Sequence, residues 1–340
     1  MKRVTLNDIA KAADVSVATV SLALRGRGEL SKKRVREIRA LAERMGYRPN
    51  PMLASLAAKR FTNAQSHQDT PIAVLEFPPV PGFPNTAQSL YKHTLTEESK
   101  RLGYAPTSVS MDEVRSTKGL FRQLFARSTQ GVIIVGNMDM AAFGADFDWR
   151  AFAVVQCARY LNENPFHRVR PNIFQSIKLA FTQVRERGYQ RIGCAPGRHK
   201  VLLEDDEDRL GAALSLEMAY LPRKHRLSVY QGDFDDRAAF LKWFHTQRPD
   251  VVLGFNILHY IALKEEGVDI PGDVGFALLQ GAEEHADISG LIQNTDEIAR
   301  QSVLLLDQLI RNHEHGPASK PLEILIPSSW NDGQTLRTSI

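Results

Sequence analysis

Apolar residues recur at three- and four-residue intervals through the first forty-five positions, then give way to short continuous runs. The first rhythm is that of helices with one buried face and the second that of buried strands. Thr5 followed by Asp8 predicts a helix start close to a capping box, and Ile9, Ala10 and Ala13 form its apolar face. Asp14 falls at a tight turn, Ser16 caps a second helix from Val17, and Val20 and Leu24 face inward on it. Gly26 and Gly28 break that helix. Ser31 caps a third, whose Val35, Ile38, Leu41, Ala42 and Met45 run along one side until Gly46 ends it, with Pro49 just beyond.

After a polar connector, KRFTNAQSHQDT, the runs Ile72–Phe77, Val132–Val135, Phe152–Val155, Arg191–Ala195, Val251–Leu253 and Val274–Leu279 read as strands. Helix-length segments, Thr86–Leu102, Asn172–Arg187, Asp235–Thr246 and Thr295–Asn312, alternate with them. Alternation of this kind argues for parallel sheets covered on both faces, and there are enough elements for two of them. The predicted fold is an N-terminal all-α helix-turn-helix head followed by an α/β two-lobed body like a periplasmic-binding-protein sensor. Its expected parts are the head at 1–48, a short helix at 49–60, a linker at 61–70 and a two-lobed domain at 71–340. Lobe crossovers are expected near 157–162, 286–294 and 317–322.

Charge sharpens this division. The formal net charge of +4 conceals a head, residues 1–61, with 14 Lys or Arg against 5 Asp or Glu, and a remainder with 29 against 34. A basic head on a mildly acidic body suits a polyanionic partner at one end. In a helix-turn-helix the second helix lies in the major groove of double-stranded DNA, with its N-terminal residues at base edges. The basic start, MKRVTLNDIAKAADV, has no apolar segment after it, and no run approaches the roughly 18 apolar residues of a membrane span. Cys157 and Cys194 have no paired spacing and read as reduced thiols, so a cytoplasmic protein without membrane contact is expected.

The segments Thr5-Leu6-Asn7-Asp8-Ile9-Ala10, Val15-Ser16-Val17-Ala18-Thr19-Val20-Ser21 and Gly46-Tyr47-Arg48-Pro49-Asn50 resemble the LacI/GalR (lac-repressor/Gal-repressor) family. The resemblance implies a transcriptional regulator, most simply a dimeric repressor on a palindromic operator. Its DNA-facing residues would be Thr5, Leu6, Ser16, Val17, Ala18, Thr19, Ser21, Leu22, Arg25, Asn50, Ser55 and Leu56. Ser16, Thr19, Ser21 and Arg25 would touch phosphates, which position without specifying. Val17, Ala18 and Leu22 would face bases; where many members carry arginine, Leu22 offers only apolar contact, such as with a thymine methyl. Asn50-Pro51 opens a two-turn segment resembling the family's hinge helix, with Leu56 as its minor-groove wedge. Ala54 stands where arginine is frequent.

The family likeness continues more loosely in Gly188-Tyr189-Gln190-Arg191-Ile192-Gly193 and in Gly267 to Val274. Ligands in open α/β sheets sit beyond the carboxyl ends of strands. That rule nominates Phe77, Asn137, Gln156, Arg159, Arg198, Arg209, Asn256 and Gln280 as effector-binding residues. A sugar is one candidate effector, but Arg209-Leu210-Gly211 departs from the arginine–glycine spacing of sugar sensors, and Leu279-Gln280-Gly281-Ala282 replaces their acidic turn. The acidic run Glu204 to Asp208 is expected to be a solvated loop opening the next helix. No hydrolase, zinc-protease, nucleotide-binding or other cofactor motif is present, so neither catalysis, a cofactor nor a metal is expected. A ligand-independent architectural protein that bends DNA is the alternative reading.

Overall fold

The computed structural model describes residues 4–25, 31–47, 70–78, 86–136, 138, 140–144, 146–157, 165–200 and 203–338. The expected hinge helix at 49–60, with Asn50, Ser55 and Leu56, lies outside these residues, as do Asn137 and Arg159. The side chains of Ala18, Ser21, Leu22 and Arg25 are outside them too. The chain divides into two compact units, 1–66 and 67–340.

The first unit contains α1 (Leu6–Ala13), α2 (Val17–Arg25) and α3 (Lys32–Arg44). Thr5 forms the expected capping box: its backbone and hydroxyl donate to Asp8 Oδ2 at 2.8 and 2.7 Å, and Asp8 N–H returns to Thr5 Oγ1. Asp14 turns the chain with φ 51°, a left-handed conformation that aspartate tolerates better than most residues. Ile9, Ala10, Val20, Ala23, Ile38 and Ala42 meet in a single small core.

The second unit holds two sheets. Lobe one is a six-stranded, wholly parallel sheet in the order β10-β5-β4-β3-β1-β2. Its strands are β1 (Thr70–Glu76), β2 (Tyr104–Ser110), β3 (Gly131–Val135), β4 (Ala153–Cys157), β5 (His167–Pro171) and β10 (Glu323–Ile326), and its helices α4 (Thr86–Arg101), α5 (Thr117–Ala126) and α10 (Thr295–Asn312). Alternation along β1 sends Ile72 and Val74 to one core with α10, and Ala73 and Leu75 to another rich in phenylalanine. Lobe two orders its strands β11-β9-β8-β7-β6. These are β6 (Ile192–Ala195), β7 (Val251–Gly254), β8 (Gly275–Leu278), β9 (Gly290–Ile292) and an antiparallel edge, β11 (Ser329–Asn331). The helices α6 (Ile173–Glu186) and α7 (Glu204–Tyr220) cover one face, α8 (Arg237–Gln247) and α9 (Ile257–Glu265) the other. Both lobes therefore bury strands on two faces, as the apolar runs require.

The chain passes between lobes at Asn172, at Gln293–Asn294 and at Pro327–Ser328. The second crossover lies inside the expected interval. The first and third come later than the sequence suggests, because β5 and β10 are added to lobe one before the chain leaves it. The crossovers are tied together: Asn294 Nδ2 donates to the Pro327 carbonyl at 2.8 Å, Ser329 Oγ to Asn294 Oδ1 at 3.0 Å, and Asn172 N–H to the Ile326 carbonyl at 2.8 Å.

The acidic run corrects another expectation. Glu204 to Asp208 forms the first turns of α7, and Asp205 and Asp206 are buried rather than solvated. Their charge is met by arginines that lie far away in sequence or one turn along the helix.

Farther along α7, Glu217 is buried, and burial raises its carboxyl to about 7, opposed only partly by Arg226. A raised acid contributes stability that is full below its unfolded value of 4.5 and lost as pH rises through about 7. Glu217→Gln, which imitates the protonated acid, is expected to stabilise the body by roughly 2 kcal/mol at pH 8 and to be neutral at pH 4. Urea unfolding at the two pH values checks this.

Candidate functional site

The head presents α2 by fixing everything behind it. Arg34 Nη2 donates to the Ala13 carbonyl at 2.9 Å, and Arg39 Nε to the Ala23 carbonyl at 3.1 Å. Two arginines of α3 thus satisfy carbonyls at the C-terminal ends of α1 and α2, where positive charge is favoured. At the other end of α2, Thr19 N–H donates to Ser16 Oγ at 3.0 Å, and the two hydroxyls lie 2.8 Å apart. Ser16 is therefore a helix cap, and its exposed position leaves it able to take a phosphate as well. Val17 is 42% exposed, unusual for a valine beside a packed core. Val20 and Ala23, farther along the same helix, are buried. Leu6 is half-buried against the core, and Thr5 is engaged in its capping box. The first turn of α2 thus offers Ser16, Val17 and Thr19 on a rigid support.

The second candidate is a small cleft between the lobes. Its walls are Pro171 at the end of β5, Ile173, Ser176 and Ile177 on α6, Arg209 on α7, Leu279 and Gln280 after β8, and the crossover residues Gln293 and Ser328. It sits beyond the carboxyl ends of β5 and β8, where ligands of open α/β sheets bind. Ser176 Oγ bridges the Asn172 carbonyl and Ser328 Oγ, both at 2.7 Å. Arg209 is buried, stacks over the Phe255 ring at 4.3 Å, and is paired with Asp206. Asp206 also lies 2.6 Å from His199 Nδ1 and accepts from the Leu203 N–H. Burial alone would raise the Asp206 carboxyl, but the His199 bond and the Arg209 charge outweigh it and lower its pKa.

Of the residues nominated from sequence, the cleft brings together Arg209 and Gln280. Phe77 packs into the core of lobe one, 5.9 Å from Phe143. Gln156 is fully buried on β4 and donates to the Gly136 carbonyl at 2.9 Å. Arg198 pairs with Asp233 at 3.5 Å, and Asn256 caps α9. None of these four is in the cleft wall. Sequence reasoning overlooked Ser176, Gln293 and Ser328. The signal for Ser176 was Asn172, a cap placing a helix N-terminus directly after a strand.

Residues 5–50 match the family model for bacterial regulatory proteins of the lacI family. The catabolite control protein A of Staphylococcus epidermidis is 21% identical over 323 residues, covering 92% of this chain and 94% of that protein. Among solved structures, the CelR transcriptional regulator in complex with cellobiose aligns with a TM-score of 0.59 and 17% identity, over 98% of this chain and all of that one. The lac repressor dimer bound to operator and the anti-inducer ONPF aligns with a TM-score of 0.57 and 18% identity, over 98% of this chain and 99% of that one.

Proposed function

Taking as premise that this head belongs to the lacI family of bacterial regulatory proteins, we propose that the chain is a dimeric, sequence-specific repressor whose DNA affinity is set by a small molecule in the inter-lobe cleft. The observation that carries the reading is the exposed first turn of α2, with Val17 outward between two bonded hydroxyls on a basic head. A two-fold protein matches a palindromic operator. Ser16, Thr19, Ser21 and Arg25 hold phosphates, while Val17, Ala18 and Leu22 read bases. Asn50, Ser55 and Leu56, which lie outside the described residues, complete the DNA-contacting set by the family resemblance, with Leu56 as the minor-groove wedge.

In the body, the effector meets Arg209, Gln280, Gln293, Ser176 and Ser328. Uncharged hydrogen-bonding groups beside the apolar Pro171, Ile173, Ile177 and Leu279 suit a neutral ligand with both hydroxyls and an apolar face, so a sugar is the first class to try. It acts by binding one lobe arrangement better than the other, since only differential affinity shifts a population. The work is binding, not catalysis, and its setting is the cytoplasm. Among the described residues no helix is long and apolar enough to cross a membrane.

Salt dependence tests the DNA contact. If about six phosphates are neutralised, affinity for operator-length DNA falls roughly a thousandfold between about 50 and 200 mM salt. A flat salt response would remove the proposed phosphate contacts. Leu22→Ala tests the reading helix: loss of a methyl contact is expected to cost about 1 kcal/mol at one base pair of each half-site. Binding-site selection with the variant checks it, and an unchanged preferred site would remove Leu22 from the reading set.

A further inference from the structure

Strand β5 carries two arginines, Arg168 and Arg170, on the same side of lobe one. Their outward partners belong to lobe two. Arg168 grips Glu204 through both terminal nitrogens, at 2.7 and 3.1 Å. Arg170 Nη1 lies 2.6 Å from Asp208 and 3.5 Å from Asp205. Glu204 and Asp208 share one face of the first turns of α7, at i and i+4, and Asp205 borders it, three residues before Asp208. The arginine side chains are only 12% and 11% exposed, but Glu204 and Asp208 are 40% and 38% exposed, so solvent and salt reach these pairs from their acidic side.

A third acid, Glu323, stands opposite Arg168 in the β10–β5 register and accepts from the Nε of both arginines. Glu323 belongs to the same lobe as the arginines. Rotation about the crossovers would therefore separate every β5–α7 pair while leaving Glu323 in place to hold the two guanidiniums. The arginines keep one partner in either arrangement, which makes the contact reversible rather than merely structural.

We infer that Arg168 and Arg170 with Glu204, Asp205 and Asp208 form an ionic latch that holds the lobes together without an effector. The resting lobe angle is then set by the chain's own charges, and a ligand acts against or with this latch. The inference concerns the body alone, and it stands or falls independently of whether the head binds DNA.

The test is a distance between lobes in the full chain. Arg122→Cys on lobe one and Lys224→Cys on lobe two put spin labels at exposed positions, and Cys157 and Cys194 are buried. Labelled protein is diluted with unlabelled, so that only distances within one chain are read. The latch predicts a narrow distribution at low salt. It predicts longer, broader distances in the Glu204→Gln/Asp208→Asn double variant. Salt at about 0.5 M, where the Debye length falls to roughly 4 Å, moves the otherwise unaltered labelled chain toward that distribution and leaves the double variant unchanged. Arg170→Lys, which keeps the charge but loses the fork, falls between the two. Circular dichroism confirms that each variant is folded; Arg170→Lys carries the test if the double variant is not. The same distance distribution for all folded proteins at both salts would overturn the latch.

Discussion

Replacing Ile9 by alanine is expected to abolish DNA binding while leaving the unfolding of the body unchanged. Ile9 is fully buried in a core that, among the described residues, has five other buried members. Truncating a buried isoleucine to alanine costs about 2–5 kcal/mol through lost burial and the cavity left behind. A head this small has roughly 3–5 kcal/mol to lose. The substitution therefore removes most or all of the head's stability. Without the core, Val20 and Ala23 no longer hold the outward face of α2 toward a partner. The body is a separate compact unit and keeps its own transition. Fluorescence anisotropy on operator-length DNA and a calorimetric scan check the two halves of the prediction. Retained affinity would mean that DNA is held elsewhere.

The second large effect is expected at Asp206. Its side chain is 2% exposed, beside His199 at 1% and Arg209 at 3%. Asp206→Ala strands a buried guanidinium and the N–H groups of His199 and Leu203, which the carboxylate now accepts. Removing one partner of a buried pair costs about 3–5 kcal/mol, because the remaining charge loses its compensation. The body is expected to unfold at correspondingly lower denaturant. The lowered pKa fixes the sign of the pH dependence: stability is present above the unfolded value of 3.8 and is lost as pH falls through the lower folded value. The advantage of the unmodified chain over Asp206→Asn therefore narrows below about pH 3.8 and is level above it. Parallel unfolding curves from pH 7 to 3 measure it. A constant gap throughout would show that Asp206 contributes by packing alone.

Much of the architecture was readable because local and global signals agree. Thr5, Ser16 and Ser31 each cap the helix that the apolar spacing requires. The runs at 72–77, 132–135 and 251–253 lie within or across observed strands, because strands buried on both faces need apolar residues at every position. What escaped was polar. Strand β5 reads HRVRP, with arginines where an apolar run was sought. Those arginines are tolerable in a sheet only because Glu323 and the start of α7 supply carboxylates, partners 35 or more residues away that no local window contains. The same pairing hid the nature of the acidic run, since Asp205 is met by an arginine outside any helix-sized window, and Asp206 by a histidine in the preceding loop as well as by Arg209 one turn along. Passing over β5 and β10 then shifted two crossovers and concealed Ser328 as a cleft residue, whereas Gln293 lies at the crossover that the sequence did mark. Gln280 stands in the cleft wall where the rule for strand ends places it, directly after β8, while Arg209 reaches the wall from the second turn of α7. On the head, Val17 was legible from its place at the first position of a capped helix.

Reading of a DNA sequence by the head, as part of a two-fold assembly, is the proposed function on which the rest depends. Its most direct test is selection of fragments from genomic DNA by the purified full chain at one stated salt concentration, followed by sequencing, because phosphate contacts make affinity depend steeply on salt. The account predicts enrichment of a short palindrome, lost in the Ile9→Ala variant. Binding with no preferred sequence would contradict it and leave an architectural DNA-bending protein as the better description.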